Sequence, residues 1–408
     1  MHIAWFIHRY FPVVGGSENF ARAMVSRFVA RGDSVDVFTT DADDLTYFTD
    51  RKGRKVNAPP ISHVDGATVH RLPARHLPAQ RYVGKLLSLL PSWQLRSQVG
   101  SFLPILPDLK KYSSGGIRKY GLTVGVAFPY TNFSYAAWRL ARRSGCPFVA
   151  IPFLHLGSKG YTQPHQIRLL KQADLVIAVT PLEANAMVEL GLNRSKIAVL
   201  PMALEAKKVT GGDRSHLREQ LGIGLDESVI GQVGALDINK GTEHLVEAVS
   251  RLNAHCDQPV HLILAGRPTP GFERFLASRA VSDAWLHVLG PFDDDLLPDL
   301  YAAFDIYAMP SRTDSFGIVF LEAWANGKPV VAASAGGVSD VVRDGVDGLL
   351  VPFGDVDRIR DSLRRLIHDK AYANSLGEAG RAKLSNGWTW DDRFAQFSKS
   401  LNKLGGNG

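Results

Sequence analysis

The stretch SRTDSFGIVFLEAWANGKPV, residues 311–330, reads as the middle of one α/β repeat. The run DIYAMP (305–310) before it is apolar and stops at Pro310. SRTDSFG forms a turn, IVFLEAWAN has helical character, Gly327 stands where a helix closes, and Lys328-Pro329 opens the next apolar run, PVVAAS (329–334). Strand, helix and strand in so short a span make a βαβ unit, and its strands must be parallel. The same stretch carries two carboxylates eight positions apart, Asp314 in the loop at the helix mouth and Glu322 about two turns in. For Asp314 the alternatives are an N-cap, a partner of the helix dipole or a ligand-binding group. For Glu322 they are a solvated surface position or a paired one, and its neighbours Phe320, Leu321, Ala323 and Trp324 favour pairing. The amides of Phe316, Gly317 and Ile318 face whatever fills the mouth.

The alternation extends along nearly the whole chain. Strand candidates in the first half are residues 2–7, 34–40, 68–72, 123–128, 147–153, 174–180 and 197–202; in the second half they are 229–236, 260–266, 285–290, 305–310, 329–334 and 348–353. Each set is enough for its own doubly wound sheet. ALEAKKVTGGDRSHLREQLG separates them with charge and turn formers, which puts a boundary near residue 203. The expected organisation is a Rossmann-like domain over 1–203, a second over 204–385, and a terminal helix in 386–408 packing back toward the first. Trp390, Phe394, Phe397 and Leu401 form the apolar stripe of that helix. Two such domains facing each other would bind ligands at the carboxyl ends of their strands.

The 408 residues are 45% apolar, enough for two cores and incompatible with a disordered or fibrous chain. The start MHIAWFI lacks a basic leader, and no run of about 18 apolar residues occurs, so the expectation is a soluble cytoplasmic protein. Cys146 and Cys256 are far apart and lack histidine clusters; they read as inert core residues rather than a disulfide or zinc framework. The net charge of +7 conceals a division: residues 1–203 hold 25 Lys and Arg against 12 Asp and Glu, leaving 22 against 28 for the remainder. Segment 51–119 alone carries 13 basic and 2 acidic residues, interleaved with apolar ones. Such a stretch is either a solvated basic face or a contact with an anionic surface: phospholipid headgroups, peripherally at the inner face of the cell membrane, a phosphorylated lipid carrier or an acidic polysaccharide. No compact nucleic-acid-binding module is recognisable, so nucleic acid is not an expected partner.

Two loops have the composition to hold a phosphate. Gly15 and Gly16 follow the first strand and lead into a helix over 17–30, while Lys240 precedes Gly241 and a helix over 242–252. Close backbone approach at the glycines, the helix N-termini and a lysine at a strand end all favour anions. No G-x-G-x-x-G occurs, which disfavours a nicotinamide or flavin enzyme.

Taken in order, Gly15-Gly16-Ser17-Glu18, PFLHLG with His155, GALDINKG (234–241), LAGR (264–267), LGPF (289–292), PSRTDSFGIVFLEA (310–323), GKPVVAASAGGVSDVV (327–342) and DGLLVPFGD (347–355) resemble the retaining nucleotide-sugar glycosyltransferases of the GT-B fold. That class includes sucrose synthases, lipopolysaccharide glucosyltransferases and phosphatidylinositol mannosyltransferases. The resemblance covers essentially the whole chain and implies two Rossmann-like domains across a cleft, with a C-terminal helix crossing between them. It implies that Glu322 binds the ribose and Asp314 the donor sugar. Lys240, Gly15, Gly16 and the amides of Phe316, Gly317 and Ile318 would hold the diphosphate, and His155 would orient the sugar. Arg267, Phe292, Arg312 and Ser315 complete the donor set, with no metal and no cofactor. The family usually has an arginine where this chain has Ala235, so Lys240 stands alone unless Arg267 or Arg312 substitutes.

The implied activity is retaining transfer of a hexose from a nucleotide diphosphate sugar to a lipid-linked, polysaccharide or other glycan acceptor. The alternative suggested by Ala235 is a catalytically weak or inactive nucleotide-sugar-binding partner of another transferase. Asp41, Asp43 and Asp293-Asp294-Asp295 raise a third reading, a metal-dependent transferase, which the second full sheet disfavours.

Overall fold

The computed structural model describes residues 1–76, 79–87, 89, 91–99, 103–113, 119–127, 130–156, 160–254, 258–279, 284–385 and 387–405. Cys256, Phe128 at the end of an expected strand, and parts of segments 51–119 and 386–408 lie outside these residues. The chain forms two compact units, Met1–Pro201 together with the stretch from Trp390, and Met202–Thr389.

The first unit is built on an eight-stranded sheet of order β3-β4-β2-β1-β5-β6-β7-β8. In chain order its strands are β1 (His2–Phe6), β2 (Ser34–Thr40), β3 (Ile61–Val64), β4 (Ala67–Leu72), β5 (Leu122–Val126), β6 (Phe148–Ile151), β7 (Leu175–Ala178) and β8 (Ile197–Val199). All pairings are parallel except β3 with β4. β3 is the strand the sequence did not announce. ISHV carries little apolar content and pairs only at the sheet edge, where Ile61 and His63 are exposed, so no buried run marks it. The sheet reverses its winding between β1 and β5, so the loop after β1 opens at the point where such sheets bind ligands.

The second unit has six parallel strands of order β11-β10-β9-β12-β13-β14. These are β9 (Val229–Val233), β10 (His261–Ala265), β11 (Leu286–Gly290), β12 (Ile306–Met309), β13 (Val330–Ala333) and β14 (Leu349–Val351). Every residue of β9, β10, β12 and β13 is buried, as strands covered on both faces must be. The winding reverses between β9 and β12, and the loops after these two strands carry Lys240 and Asp314.

The terminal helix runs Trp390–Gly405 and packs on the helix Gly16–Ala30. Trp390 meets Phe20 edge-on at 5.8 Å, and Phe394 and Phe397 meet Phe28 at 4.9 and 5.9 Å. The helix begins at Trp390; the residues just before it belong to the second unit, where Leu204 donates its amide to the Trp388 carbonyl. Among the described residues no helix is long and apolar enough to cross a membrane. Phe397 is fully buried, so Phe397→Ala should cost about 3 to 5 kcal/mol. Urea unfolding of the two proteins measures the difference, and a loss below about 1 kcal/mol would mean that this helix does not support the first core.

Candidate functional site

Two loops at the carboxyl edge of the second sheet are joined by backbone contacts before any side chain is considered. After β9 the chain makes a short turn, Ile238–Lys240, capped by Asp237, whose carboxylate accepts the Lys240 amide at 2.8 Å. Gly241 then takes φ +73 and passes so close to β12's loop that a Cβ there would lie 2.2 Å from the Pro310 carbonyl oxygen. Next to it the Arg312 amide donates to the Asn239 carbonyl at 2.6 Å. Only glycine satisfies both the φ and the approach. The result places Lys240 Nζ 2.7 Å from Asp314 Oδ2, a half-buried ion pair between residues from different loops. Burial opposes the lysine charge, yet Asp314 and then Asp237 outweigh it and hold its pKa above the ordinary lysine value. A third loop joins them, since the Gly337 amide donates to the Asp314 carbonyl at 2.8 Å.

Asp314 does not cap the following helix. Gly317, at φ +84, is the N-cap of Ile318–Ala325, and no side chain closes that terminus. The first amides of the helix therefore lack intrahelical acceptors and carry the positive end of its dipole. A Cβ on Gly317 would strike the Phe320 ring at 2.6 Å, so the turn at the mouth also requires glycine. Glu322 is half-buried and paired, accepting the Tyr301 hydroxyl at 2.6 Å. Burial raises its pKa; the Tyr301 bond opposes this and the Asp294 charge adds to it. Tyr301 is a site residue that the sequence did not reveal. It comes from another helix, Leu297–Ala303, and no local pattern links it to Glu322.

The remaining donor candidates of this unit lie on the same edge. Ser315 and Phe316 are buried, Phe292 is half-buried after β11, and Arg312 and Arg267 are exposed. The Arg312 guanidinium lies 4.9 Å from the centre of the Phe353 ring. The Arg267 carbonyl accepts the Leu236 amide at 2.9 Å, which brings Arg267's backbone beside the segment containing Ala235. Two aspartates of the metal-dependent reading have protein partners: Asp41 accepts the Ala74 amide and Asp43 pairs with Arg54. Among the described residues no three carboxylate, histidine or cysteine side chains are grouped to hold a metal ion.

Both halves of the chain match known families. The family described as glycosyl transferases group 1 matches residues 213–383, and the glycosyl transferase 4-like domain matches 15–203. A D-inositol 3-phosphate glycosyltransferase from Corynebacterium urealyticum is 30% identical over 415 residues, covering 96% of this chain and 91% of that protein. The chain belongs to the group 1 glycosyltransferases. Its fold is GT-B, built of two Rossmann-like domains. A sucrose-phosphate synthase from Thermosynechococcus elongatus superposes with a TM-score of 0.77 at 23% identity, covering 100% of both chains. Anabaena HepE, solved in complex with UDP-glucose, gives 0.74 at 21% identity, covering 99% of this chain and 100% of that one.

In this glycosyltransferase the candidates from the first half, Gly15, Gly16 and His155, belong to the first unit. Gly15 is extended at φ −178 and is the uncapped N-cap of the helix Gly16–Ala30. Its lack of a side chain makes room for Glu18, whose carboxylate a Cβ would meet at 2.5 Å, whereas a Cβ on Gly16 would touch nothing within 4 Å. Glu18 accepts Arg9 at 2.8 Å and Ser17 at 2.8 Å, and lies 3.6 Å from His8 Nε2. Burial would raise the Glu18 pKa, but Arg9, His8 and Ser17 bring it below the ordinary value. His8 itself is pushed down to about 3 by burial and stacks on Tyr130 at 4.3 Å.

His155 follows β6 and stacks on Tyr161 with ring centres 4.7 Å apart. The backbone before it is set by Phe153 at φ +50 and by Leu154, whose amide donates to Glu183 Oε1 at 2.7 Å. Glu183 Oε2 accepts the Val179 amide at 2.6 Å, so one buried carboxylate ties the ends of β6 and β7 together. The sequence signal is the T-x-x-E pattern of Thr180 and Glu183, which marks a helix start. Thr180 does cap the Glu183 amide, at 3.1 Å, but the carboxylate turns to Leu154 and Val179 instead of reaching back to Thr180. The half-buried Cys146 thiol is pushed up to about 11 by burial, in keeping with an inert residue.

Burial pushes Glu183 up to about 7, with the two amide bonds working against it. A folded pKa above the unfolded one stabilises fully below about pH 4.5, and that contribution is lost as pH rises through about 7, roughly 3 kcal/mol for this shift. Chemical unfolding across this range should show the wild type losing stability relative to Glu183→Gln. Parallel curves would refute a buried, titrating Glu183.

Proposed function

We propose that this glycosyltransferase moves a hexose, with retention of anomeric configuration, from a nucleotide diphosphate sugar to a lipid-linked or other glycan acceptor. The observation that carries the reading is the meeting of Lys240, Asp314 and the uncapped start of Ile318–Ala325 at the point where the second sheet reverses. When the bond from the sugar to the diphosphate breaks, negative charge grows on the leaving phosphate. A lysine and free helix amides already in place stabilise that charge without reorganising and without a metal. Lys240 is held charged by Asp314, so its proton is secure before the donor arrives. Glu322, fixed by Tyr301, presents its other oxygen to the ribose hydroxyls, and Asp314 takes hydroxyls of the sugar.

On this reading the acceptor oxygen attacks from the face the diphosphate leaves, and the acceptor proton passes to the departing phosphate oxygen. His155 and the Gly15-Gly16 turn enter through the sequence, and the fixed backbone before His155 supports a positioning role for its ring. Arg267 is favoured over Arg312 as the second cation, because its backbone adjoins the Ala235 segment and the Arg312 guanidinium already rests over Phe353. Transfer at the inner face of a membrane, by a cytoplasmic enzyme held there peripherally, is supported by the basic 51–119 segment. HepE with UDP-glucose makes uridine nucleotides the first donors to try.

A thermal-shift screen of nucleoside diphosphates and their sugars should select one base, and turnover then follows with that donor. Lys240→Ala and Glu322→Ala should each lower kcat/KM by about a hundredfold or more while leaving the unfolding midpoint within a few degrees. Full turnover in both would overturn the assignment. Gly16→Ala should leave stability unchanged, since nothing occupies the Cβ position, yet reduce turnover if the diphosphate approaches that backbone. Tight donor binding without hydrolysis or transfer would instead favour an inactive binding partner, the reading that Ala235 motivates.

A further inference from the structure

The first unit contains a cavity of about 330 Å³ that none of the donor residues lines. Two helices form its long walls. Gln80–Leu87 contributes Val83, Gly84 and Leu87, and Thr131–Ser144 contributes Tyr135, Ala136 and Arg139, at the spacing that puts each set on one helix face. The segment LPILP, residues 103–107, supplies a third wall. The buried polar groups at this lining are already engaged: Gln80 donates to the Phe48 carbonyl and Asn132 to the Pro104 carbonyl. What they leave is an apolar interior. Its volume falls at the low end of ligand pockets, roughly 300 to 1,000 Å³.

The rim has the opposite character. The exposed Lys110 and the half-buried Arg139 complete the lining, and Lys85, Lys110 and Lys111 belong to the segment whose charge is 13 basic to 2 acidic. On the helix that forms one wall, Tyr82 and Leu86 are 79% and 67% exposed, and Leu89 just beyond it is 69% exposed. Tyr82 and Leu86 are four apart on one turn of the helix, so this short element has apolar residues toward the cavity and toward solvent. A polysaccharide or a free sugar phosphate would use neither apolar surface. An aliphatic chain with an anionic head uses the cavity and its basic residues: the chain enters between the two helices and the head meets Lys110 and Arg139.

We infer that this cavity binds the aliphatic chain of an anionic amphiphile, and that the acceptor of the transfer is such a lipid rather than a water-soluble glycan. The second part rests on the transferase reading above; the first does not. The cavity starts beside Asn132, at the beginning of the helix that follows β5, and β5 flanks the winding reversal of the first sheet. Asn132 and Arg139 lie seven residues apart on that helix, about 10 Å, so a chain between them adjoins at one end the edge of the sheet where ligands bind.

The full chain can be tested with dodecyl phosphate carrying a diazirine at the chain terminus, used below its micellar concentration. Saturable labelling of peptides 80–87 and 132–139, competed by dodecyl phosphate and not by inorganic phosphate, is the expected result. Labelling confined to Tyr82, Leu86 and Leu89, or scattered over the surface, would overturn the cavity assignment. Calorimetry adds two variants: Ala136→Phe fills the space and Lys110→Ser with Arg139→Ser removes the rim charge, and each should weaken dodecyl phosphate binding by about tenfold. Unchanged affinity in both would equally overturn it. Should Ala136→Phe fail to fold, the wild-type labelling and the surface double variant still decide. A concentration-dependent dimer lost in Ala136→Phe, without lipid labelling, would assign the apolar walls to a second copy of the chain and defeat the proposal. Binding of dodecyl phosphate with no sugar transfer to any acceptor would refute the transferase reading and leave the cavity standing; transfer without lipid binding would do the reverse.

Discussion

The close approach of Gly241 to the Pro310 carbonyl is the contact on which the second unit's site depends. It permits the loops after β9 and β12 to run side by side, and the bond from the Arg312 amide to the Asn239 carbonyl then fixes their relative height. With the backbones locked, Lys240 and Asp314 meet without either loop bending to reach the other. A half-buried pair of this kind recovers its desolvation only when the geometry is good. The backbone provides that geometry, so the pair is preorganised rather than assembled on binding. The uncapped mouth of Ile318–Ala325 in the same loop adds positive potential of its own.

Three buried or half-buried glutamates show how environment divides the labour of one residue type. Glu18 faces Arg9, His8 and Ser17, and this company keeps it ionised despite burial. Glu183 faces two backbone amides; these dipoles do not cancel the desolvation, and its pKa rises to about 7. Glu322 has a neutral tyrosine as its bonded partner and Asp294 as a repelling neighbour, and it too is raised. A full opposite charge thus lowers the carboxylate's pKa, whereas a pair of dipoles or a neutral donor leaves it raised. In the first unit Glu18 holds the turn into the helix Gly16–Ala30, and Glu183 holds the backbone before His155.

Much of this architecture was legible beforehand. Every strand expected from an apolar run is present: Ser34–Thr40 has the expected bounds, Ala67–Leu72 begins one residue earlier, and most others are trimmed by one to three residues where the runs continue into loops. The helix expected from residue 17 begins at Gly16, and the one after Gly241 begins at Thr242 as expected. β3 escaped because an exposed edge strand needs no apolar run to pair. The stripe of Trp390, Phe394 and Phe397 announced a packed terminal helix, and its partners proved to be Phe20 and Phe28.

The sequence by itself determined what repeats locally: the alternation of strand and helix, the family motifs, the glycines at the loop mouths and the division of charge between the two halves. These depend on residues a few positions apart, whose periodicity is set by the backbone. Only the tertiary structure decided which distant groups meet. Lys240 and Asp314 lie 74 residues apart, Leu154 and Glu183 lie 29, and Tyr301 and Glu322 lie 21. Crossover connections carry each pair to one sheet edge, and no local pattern encodes which loop of a doubly wound sheet will stand beside another.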